Sequence, residues 1–153
     1  MQTSDLIIRI SVLDQRLDLL SGGSLLASYP VSTSRFGLGS EEGSMKTPLG
    51  KFRIGEKIGA DVPSGTIFRS RIPLAPDDLL PPTDDLVLTR IIWLDGLEEH
   101  NANTRDRFIY IHGTNHEEEI GQPASHGCIR MKNADLIALF DRVPLGAQVV
   151  IST

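Results

Sequence analysis

The sequence predicts a mainly β fold, a β-sandwich or half-open barrel with one late α-helix packed on it. Three observations support this prediction. Apolar and polar residues alternate along several short segments, turn-forming residues separate those segments, and a single segment has apolar residues at helical spacing. A chain of 153 residues suits one domain with its own core, so residues 1–153 are predicted to form a single domain.

The first third of the chain is predicted to contain four strands. Alternating apolar residues or turn boundaries place them at 6–12, 17–19, 25–32 and 51–57. Asp14-Gln15 and the Ser-Gly-Gly-Ser segment at 21–24 are turn signals between the first three strands. Residues 33–50 are rich in Gly and Ser, which predicts a long loop before the fourth strand.

The middle of the chain is less regular. A short strand is predicted at 66–72, followed by a loop at 73–83, because that segment carries four prolines. An apolar run predicts a buried strand at 86–94 with Trp93 near its end. A polar loop at 96–106 and a strand at 108–111 follow.

The predicted helix lies at 134–142, where four apolar residues recur at helical spacing: Leu136, Ile137, Leu139 and Phe140. Asn133 is expected to be its N-cap, and Pro144 and Gly146 end it. A last strand is predicted at 148–152.

The bulk properties exclude several classes of protein. The net charge of −5 argues against a nucleic-acid-binding protein, which would carry a clustered basic face. No apolar run approaches the roughly 18 residues of a membrane span. The first residues lack the features of a signal peptide, so the sequence as given predicts a cytoplasmic location. A periplasmic or cell-wall location is expected instead if an export segment has been removed.

The single cysteine, Cys128, has the surroundings of a nucleophile. A thiol attacks as its thiolate and needs a nearby base or cation, which His112 at a strand end and His126 two residues away can supply. Gly127 allows a tight bend that turns backbone N–H groups outward to hold an oxyanion. These are the components of acyl transfer.

Two segments resemble the signature of L,D-transpeptidase catalytic domains of the YkuD type. The first is His112-Gly-Thr, and the second is Ser125-His-Gly-Cys-Ile-Arg-Met131. Weaker similarity covers most of the chain, including Tyr29-Pro-Val-Ser-Thr33 and Thr47-Pro-Leu-Gly-Lys-Phe52. The resemblance implies a mainly β fold and a covalent thioacyl-enzyme, with no metal or organic cofactor.

The resemblance also implies a role for each matching residue. Cys128 is expected to be the nucleophile and His112 its base, oriented by the backbone carbonyl of Gly113. His126 is expected to line the site and to support the oxyanion. The residues expected to brace the catalytic loop or the oxyanion are Gly127, Ser125 and Arg130. The implied substrate is a peptidoglycan tetrapeptide stem or muropeptide, cleaved before its terminal D-alanine.

The sequence leaves alternative functions open. A transpeptidase passes the acyl group to an amine, whereas an L,D-carboxypeptidase passes it to water and releases D-alanine from recycled stems. Zinc bound by His112, His116, His126 and Cys128 is a third hypothesis, which the tight His126-x-Cys128 spacing disfavours. A wall-binding module with an inactive site is a fourth. The loop at 33–50 is interpreted as a surface loop rather than a lid.

Overall fold

Ten strands form one sheet in the computed structural model, which describes residues 5–75 and 86–153. The strands are β1 (Leu6–Ser11), β2 (Arg16–Ser21), β3 (Ser24–Ser32), β4 (Gly50–Ile58), β5 (Ile67–Arg69), β6 (Ile72–Pro73), β7 (Val87–Gly96), β8 (Tyr110–Gly113), β9 (Ile129–Met131) and β10 (Gln148–Ser152). The described α-helix is α1 (Asn133–Arg142), and single 3₁₀ turns occur at Glu99–Asn101 and Glu117–Glu119.

The sheet closes on itself. Its strand order is β4-β10-β1-β2-β3-β9-β8-β7-β5-β6, and β4 also pairs with β7, so eight strands form a ring and the β5–β6 hairpin extends from β7. Most neighbouring pairs are antiparallel, but β1–β10 and β8–β9 are parallel. The mainly β prediction is confirmed, and the structure shows a closed barrel-like sheet in place of a half-open one.

The main core fills the inside of the ring. Alternate residues of the strands face inward and are almost fully buried, as Ile8 and Ile10 of β1 illustrate. One face of α1 covers the core through Leu136, Leu139 and Phe140, and the helix packs against β7 and β8. The predicted helical spacing therefore identified the buried face of this helix correctly.

Several element boundaries differ from the prediction. The strand expected from residue 108 begins at Tyr110, because Phe108 has a left-handed backbone with φ of +57°. The helix begins at Asn133, so its N-cap is Lys132. The Asn133 side chain instead accepts a hydrogen bond from the Thr89 hydroxyl and donates one to the Thr114 carbonyl.

The segment predicted as one strand at 66–72 is a hairpin. β5 and β6 pair antiparallel, and Ser70 and Arg71 form the turn between them. Of the loop predicted at 73–83, Pro73 belongs to β6 and residues 76–83 lie outside the described residues. The loop predicted at 96–106 contains the 3₁₀ turn at Glu99–Asn101.

Candidate active site

The sulfur of Cys128 is held by the backbone of the segment that enters β8. Its Sγ accepts the N–H of Tyr110 at 3.3 Å and donates to the carbonyl oxygen of Phe108 at 3.2 Å. The side chain is partly buried against a small apolar cluster that includes Trp93 and Tyr110. The N–H directed at the sulfur stabilises the reactive thiolate, whereas the Phe108 carbonyl accepts the proton of the thiol.

His112 lies on the strand next to the cysteine. β8 and β9 are parallel, with Ile111 beside Ile129 and His112 beside Arg130. Cys128 immediately precedes β9, and its sulfur lies against Tyr110 of β8. Because side chains alternate along a strand, Tyr110 and His112 share a face of the sheet, and that face carries the thiol. The structure thus brings the predicted nucleophile and base to one face of neighbouring strands.

A single contact defines the protonation of His112. Its Nδ1 lies 2.5 Å from the carbonyl oxygen of Gly113, and the residue is 1% exposed. A carbonyl oxygen only accepts hydrogen bonds, so Nδ1 carries the proton and Nε2 is the basic nitrogen of the neutral ring. This is the contact that the family resemblance implied.

Gly113 is required by close packing. A methyl group at position 113 would lie 2.8 Å from the carbonyl oxygen of Leu88 and closer still to the side chain of Asn133. Asn133 starts α1, so the helix packs directly against the strand end that carries His112. Any larger residue at 113 therefore displaces the acceptor of the His112 hydrogen bond.

The turn before Cys128 is braced by two hydroxyl groups. Ser125 Oγ donates to the Cys128 carbonyl at 2.5 Å and accepts the Gly127 N–H at 3.3 Å. Thr47 Oγ1 donates to the Gly127 carbonyl at 2.9 Å. Gly127 has φ of +125°, a conformation that favours glycine. The Gly127 amide is therefore used inside the loop.

His126 is exposed at the edge of the site. Its Nε2 lies 3.1 Å from Nη2 of Arg35, and its ring lies 5.8 Å from that of Phe36. A guanidinium only donates hydrogen bonds, so Nε2 of His126 is the acceptor. The role expected for His126 in supporting the oxyanion stays a prediction.

The loop at 33–50 lines the site. A cavity of about 160 Å³ is bordered by Glu42, Gly43, Met45, Arg107, Ile109 and His126. Arg107 donates to the carbonyls of Gly39 and Lys46 and so ties the loop to the body of the protein. Three loop residues, Glu42, Gly43 and Met45, therefore form a wall of this cavity.

Arg107 was missed by the sequence analysis. Burial lowers the pKa of its guanidinium, while the charges of Glu41 and Cys128 act to raise that pKa. Its charge is thus within electrostatic reach of the sulfur. No local sequence pattern singles it out, because its contacts come from a loop more than sixty residues earlier in the chain.

Arg130 is part of the scaffold. Its side chain is 2% exposed, and Nη1 lies 3.1 Å from Oε1 of Glu119. Glu117 accepts the backbone N–H of Asn133 at 2.7 Å. The acidic run at 117–119 therefore anchors both β9 and the start of α1.

Within residues 5–75 and 86–153, no group of three or more His, Cys, Asp or Glu side chains is arranged to hold a metal ion. His116, one of the residues considered for zinc, lies 3.5 Å from the carboxylate of Glu118. None of the described helices is long and apolar enough to span a membrane.

The model of the L,D-transpeptidase catalytic domain, YkuD, matches residues 5–151 of this chain. The chain belongs to this family. Over 145 residues it is 28% identical to the YkuD protein of Bacillus subtilis strain 168, which is named as an L,D-transpeptidase; the match covers 95% of this chain and 65% of that protein. It is 47% identical over 53 residues to YqjB of the same organism, which covers 34% of this chain and 30% of YqjB.

Solved structures of L,D-transpeptidases share the fold. The enzyme from Xylanimonas cellulosilytica superposes with a TM-score of 0.64 at 20% identity, covering 99% of this chain and 62% of that one. LdtMt1 in complex with imipenem gives a TM-score of 0.63 at 20% identity, covering 97% and 59%. This chain thus spans less than two thirds of the length of these proteins.

Proposed function

We propose that this chain catalyses cysteine-dependent acyl transfer on peptidoglycan tetrapeptide stems. The observation that carries the proposal is the placement of the Cys128 thiol and the His112 imidazole on one face of neighbouring strands. The Gly113 carbonyl fixes the tautomer of His112 so that Nε2 is the base. Membership of the L,D-transpeptidase family and the names of the relatives support the same chemistry.

The first step forms the acyl-enzyme. The thiol proton passes to Nε2 of His112, and the thiolate attacks the carbonyl carbon of the bond before the terminal D-alanine. The tetrahedral intermediate collapses, the carbon–nitrogen bond breaks, and the imidazolium gives its proton to the departing amine. The products are free D-alanine and a thioester on Cys128.

The second step regenerates the thiol. An amine of a second stem attacks the thioester and gives a cross-link, or water attacks and gives the shortened stem. His112 takes a proton from the attacking group and returns one to the sulfur. The transpeptidase and carboxypeptidase reactions share the site described above and differ only in the nucleophile that enters.

Mass spectrometry of the intact protein tests the proposal. Incubation with a tetrapeptide stem is expected to add the mass of the stem less D-alanine, located on Cys128 by peptide mapping. The Cys128→Ala variant is the control and is expected to show no adduct. A stem that leaves the wild-type protein unmodified and uncleaved would contradict the proposal.

Product analysis separates the two reactions. With the same donor and a second stem that carries a free amine, a transpeptidase gives a cross-linked dimer, whereas a carboxypeptidase gives only the tripeptide stem. LdtMt1 was crystallised with imipenem, so this β-lactam is a second probe of the same thiol. We expect it to modify Cys128 and to block the reaction with the stem.

A further inference from the structure

The face that carries Cys128 also carries an arginine that the proposed acylation chemistry leaves without a role. Arg71 is the second turn residue of the β5–β6 hairpin. Its guanidinium carbon lies 5.0 Å from the ring centroids of both Trp93 and Phe108. Its Nη1 donates to the hydroxyl of Tyr110 at 3.1 Å. Three aromatic side chains thus fix the position of this cation.

Two of these residues also hold the nucleophile. The backbone carbonyl of Phe108 and the backbone N–H of Tyr110 contact the Cys128 sulfur at 3.2 and 3.3 Å. Their side chains contact Arg71. The same short segment, residues 108–110, therefore positions both groups. Its backbone contacts the Cys128 thiol, and its aromatic side chains contact the Arg71 guanidinium.

The titration of Tyr110 supports this proximity. Burial raises the pKa of its hydroxyl; Arg71 acts to lower that pKa, and the charge of Cys128 acts to raise it. The hydroxyl therefore lies within electrostatic reach of both groups. It is protonated at neutral pH and accepts the hydrogen bond from Arg71.

Arg71 lacks an acidic partner among the residues that the structure describes, whereas the arginine on the same tryptophan has two. Arg105 lies 4.3 Å from the Trp93 centroid and pairs with Asp95 at 3.2 Å and with Glu56 at 2.6 Å. The single described hydrogen bond of Arg71 is the one to the Tyr110 hydroxyl. The charge of Arg105 is therefore neutralised within the protein, and that of Arg71 is available to an anionic ligand.

The turn that presents Arg71 is strained. Ser70 and Arg71 have φ values of +50° and +68°, so both adopt the left-handed conformation without being glycine. Residues other than glycine seldom adopt this conformation, and hairpin turns of this kind usually contain Asn-Gly. An arginine kept in such a position, on the same two residues that contact the thiol, indicates a function for its side chain.

We propose that Arg71 binds the C-terminal carboxylate of the donor stem and so determines which stems are acylated on Cys128. This inference rests on the proposed function. The carboxylate of the terminal D-alanine lies one residue beyond the reacting carbonyl, so it falls close to the thiol when the stem is bound. A guanidinium pairs with a carboxylate through two parallel N–H bonds, and the aromatic wall around Arg71 strengthens that pair by excluding water.

Two donors test the inference: a tetrapeptide stem with a free C-terminal carboxylate, and the same stem with a C-terminal carboxamide. Acylation of Cys128 is followed by mass for the wild type, R71Q and R71K. The wild type is expected to prefer the carboxylate roughly 10- to 100-fold in kcat/KM. R71Q is expected to lose most of this preference through a higher KM for the carboxylate, with less than about threefold change for the carboxamide. R71K is expected to keep part of the preference for the carboxylate donor.

The readout is a ratio measured on one protein preparation, so partial unfolding of a variant lowers both rates equally and leaves the preference unchanged. Arg69→Gln is the matched control, because Arg69 is an exposed residue of the same hairpin and its removal changes the net charge identically. This variant should keep the wild-type preference.

Two results would overturn the inference, and they are distinguishable. If the wild type is acylated and R71Q keeps the full preference for the carboxylate, Arg71 does not bind the C-terminal carboxylate of the stem. The proposed function then stands. If neither donor modifies the wild type, the proposed function fails and the inference fails with it.

Discussion

At the scale of single residues, backbone groups orient the thiol of Cys128 and the imidazole of His112. The Cys128 sulfur contacts one N–H and one carbonyl, and His112 contacts the carbonyl of the next residue. The orientation of the His112 ring therefore depends on the position of the strand end, and that position depends on Gly113 packing against Asn133.

Replacement of Cys128 by alanine removes the nucleophile with little structural cost. The side chain is small and only partly buried, so we expect no turnover and no measurable loss of the free energy of unfolding. Stem cleavage by C128A at more than a trace of the wild-type rate would remove the thioester mechanism. Urea unfolding curves of both proteins provide the structural control.

Replacement of His112 by asparagine removes the base but keeps a hydrogen-bond donor for the Gly113 carbonyl. An asparagine amide retains a donor for the Gly113 carbonyl but lacks the Nε2 atom. We expect the acylation rate to fall by roughly 10²–10⁴-fold, the usual contribution of a general base, in both H112N and H112A. If H112N keeps the wild-type rate, another group accepts the thiol proton.

Replacement of Gly127 by alanine strains the turn before the nucleophile. The nearest atoms to an added methyl group lie at 3.4–3.6 Å, so the cost of roughly 1–2 kcal/mol arises from the φ of +125° and not from a clash. G121A is the matched control, because Gly121 also has a positive φ and is remote from the thiol. Both should lose stability, but only G127A should lose acylation rate.

The candidate nucleophile, the candidate base and the bracing serine could be predicted from the sequence because they lie within two short segments. Arg71 and Arg107 were not identified. Their roles depend on a hairpin turn and on a loop that meet the site only after folding, and an isolated arginine has no local pattern that separates it from a surface charge. The contact of His126 with Arg35 also joins residues ninety-one positions apart.

At the scale of elements, the loop at 33–50 and the turn at 125–128 form one unit. Ser34 and Ser125 are bridged, and the fully buried Thr47 accepts the Ser34 N–H while donating to Gly127. The catalytic turn is therefore positioned by a distant loop as well as by its own strand.

Replacement of Thr47 by valine tests this connection. Valine keeps the shape but removes both hydrogen bonds, leaving a buried N–H and a buried carbonyl without this partner. We expect a loss of roughly 1–3 kcal/mol in the free energy of unfolding and a lower acylation rate, because the residue before Cys128 loses its anchor. T47S keeps the hydroxyl and should retain most of both properties. Equal rates for T47V and the wild type would show that the loop does not position the nucleophile.

Among the elements, the long strands were predicted well and the short ones poorly. β10 was located residue for residue, because three consecutive β-branched residues lie between polar ones. β9 was not predicted, since three residues between a glycine turn and a helix carry no periodic signal. It pairs with β3 through only two residue pairs, and tertiary contacts decide its conformation.

At the scale of the whole molecule, one carboxylate links stability to pH. Burial alone would raise the pKa of Asp18, but the Ser28 hydrogen bond and the charges of Arg16 and Arg9 outweigh it and leave the pKa below its ordinary value of 3.8. The folded state therefore favours the charged form. The resulting stability is fully present above about pH 4 and is lost as the pH falls through the lowered pKa.

Replacement of Asp18 by asparagine should remove this dependence. We expect D18N to be less stable than the wild type at pH 7, with the difference shrinking as the pH falls below about 4. Urea unfolding between pH 2.5 and 7 measures the two curves. If the free energies of unfolding of D18N and the wild type change in parallel over this pH range, the ionisation of Asp18 does not contribute to the pH dependence of stability.

The closed ring was beyond the reach of sequence patterns. Alternation predicts which side of each strand is buried, but not which strands are neighbours, and the β4–β7 pairing that closes the sheet joins segments about thirty residues apart. Closure depends on the total number and tilt of the strands, which no single segment encodes.

The position of β10 has a consequence for how the protein folds during its synthesis. This strand is inserted between β1 and β4, so it unites the start of the chain with its middle. A ribosome that has already made the nucleophile at 128 has not yet made residues 148–152. In the nascent protein, Cys128 therefore lies on a sheet that is not yet closed. One edge of β1 and one edge of β4 have unpaired backbone groups until β10 has been synthesised.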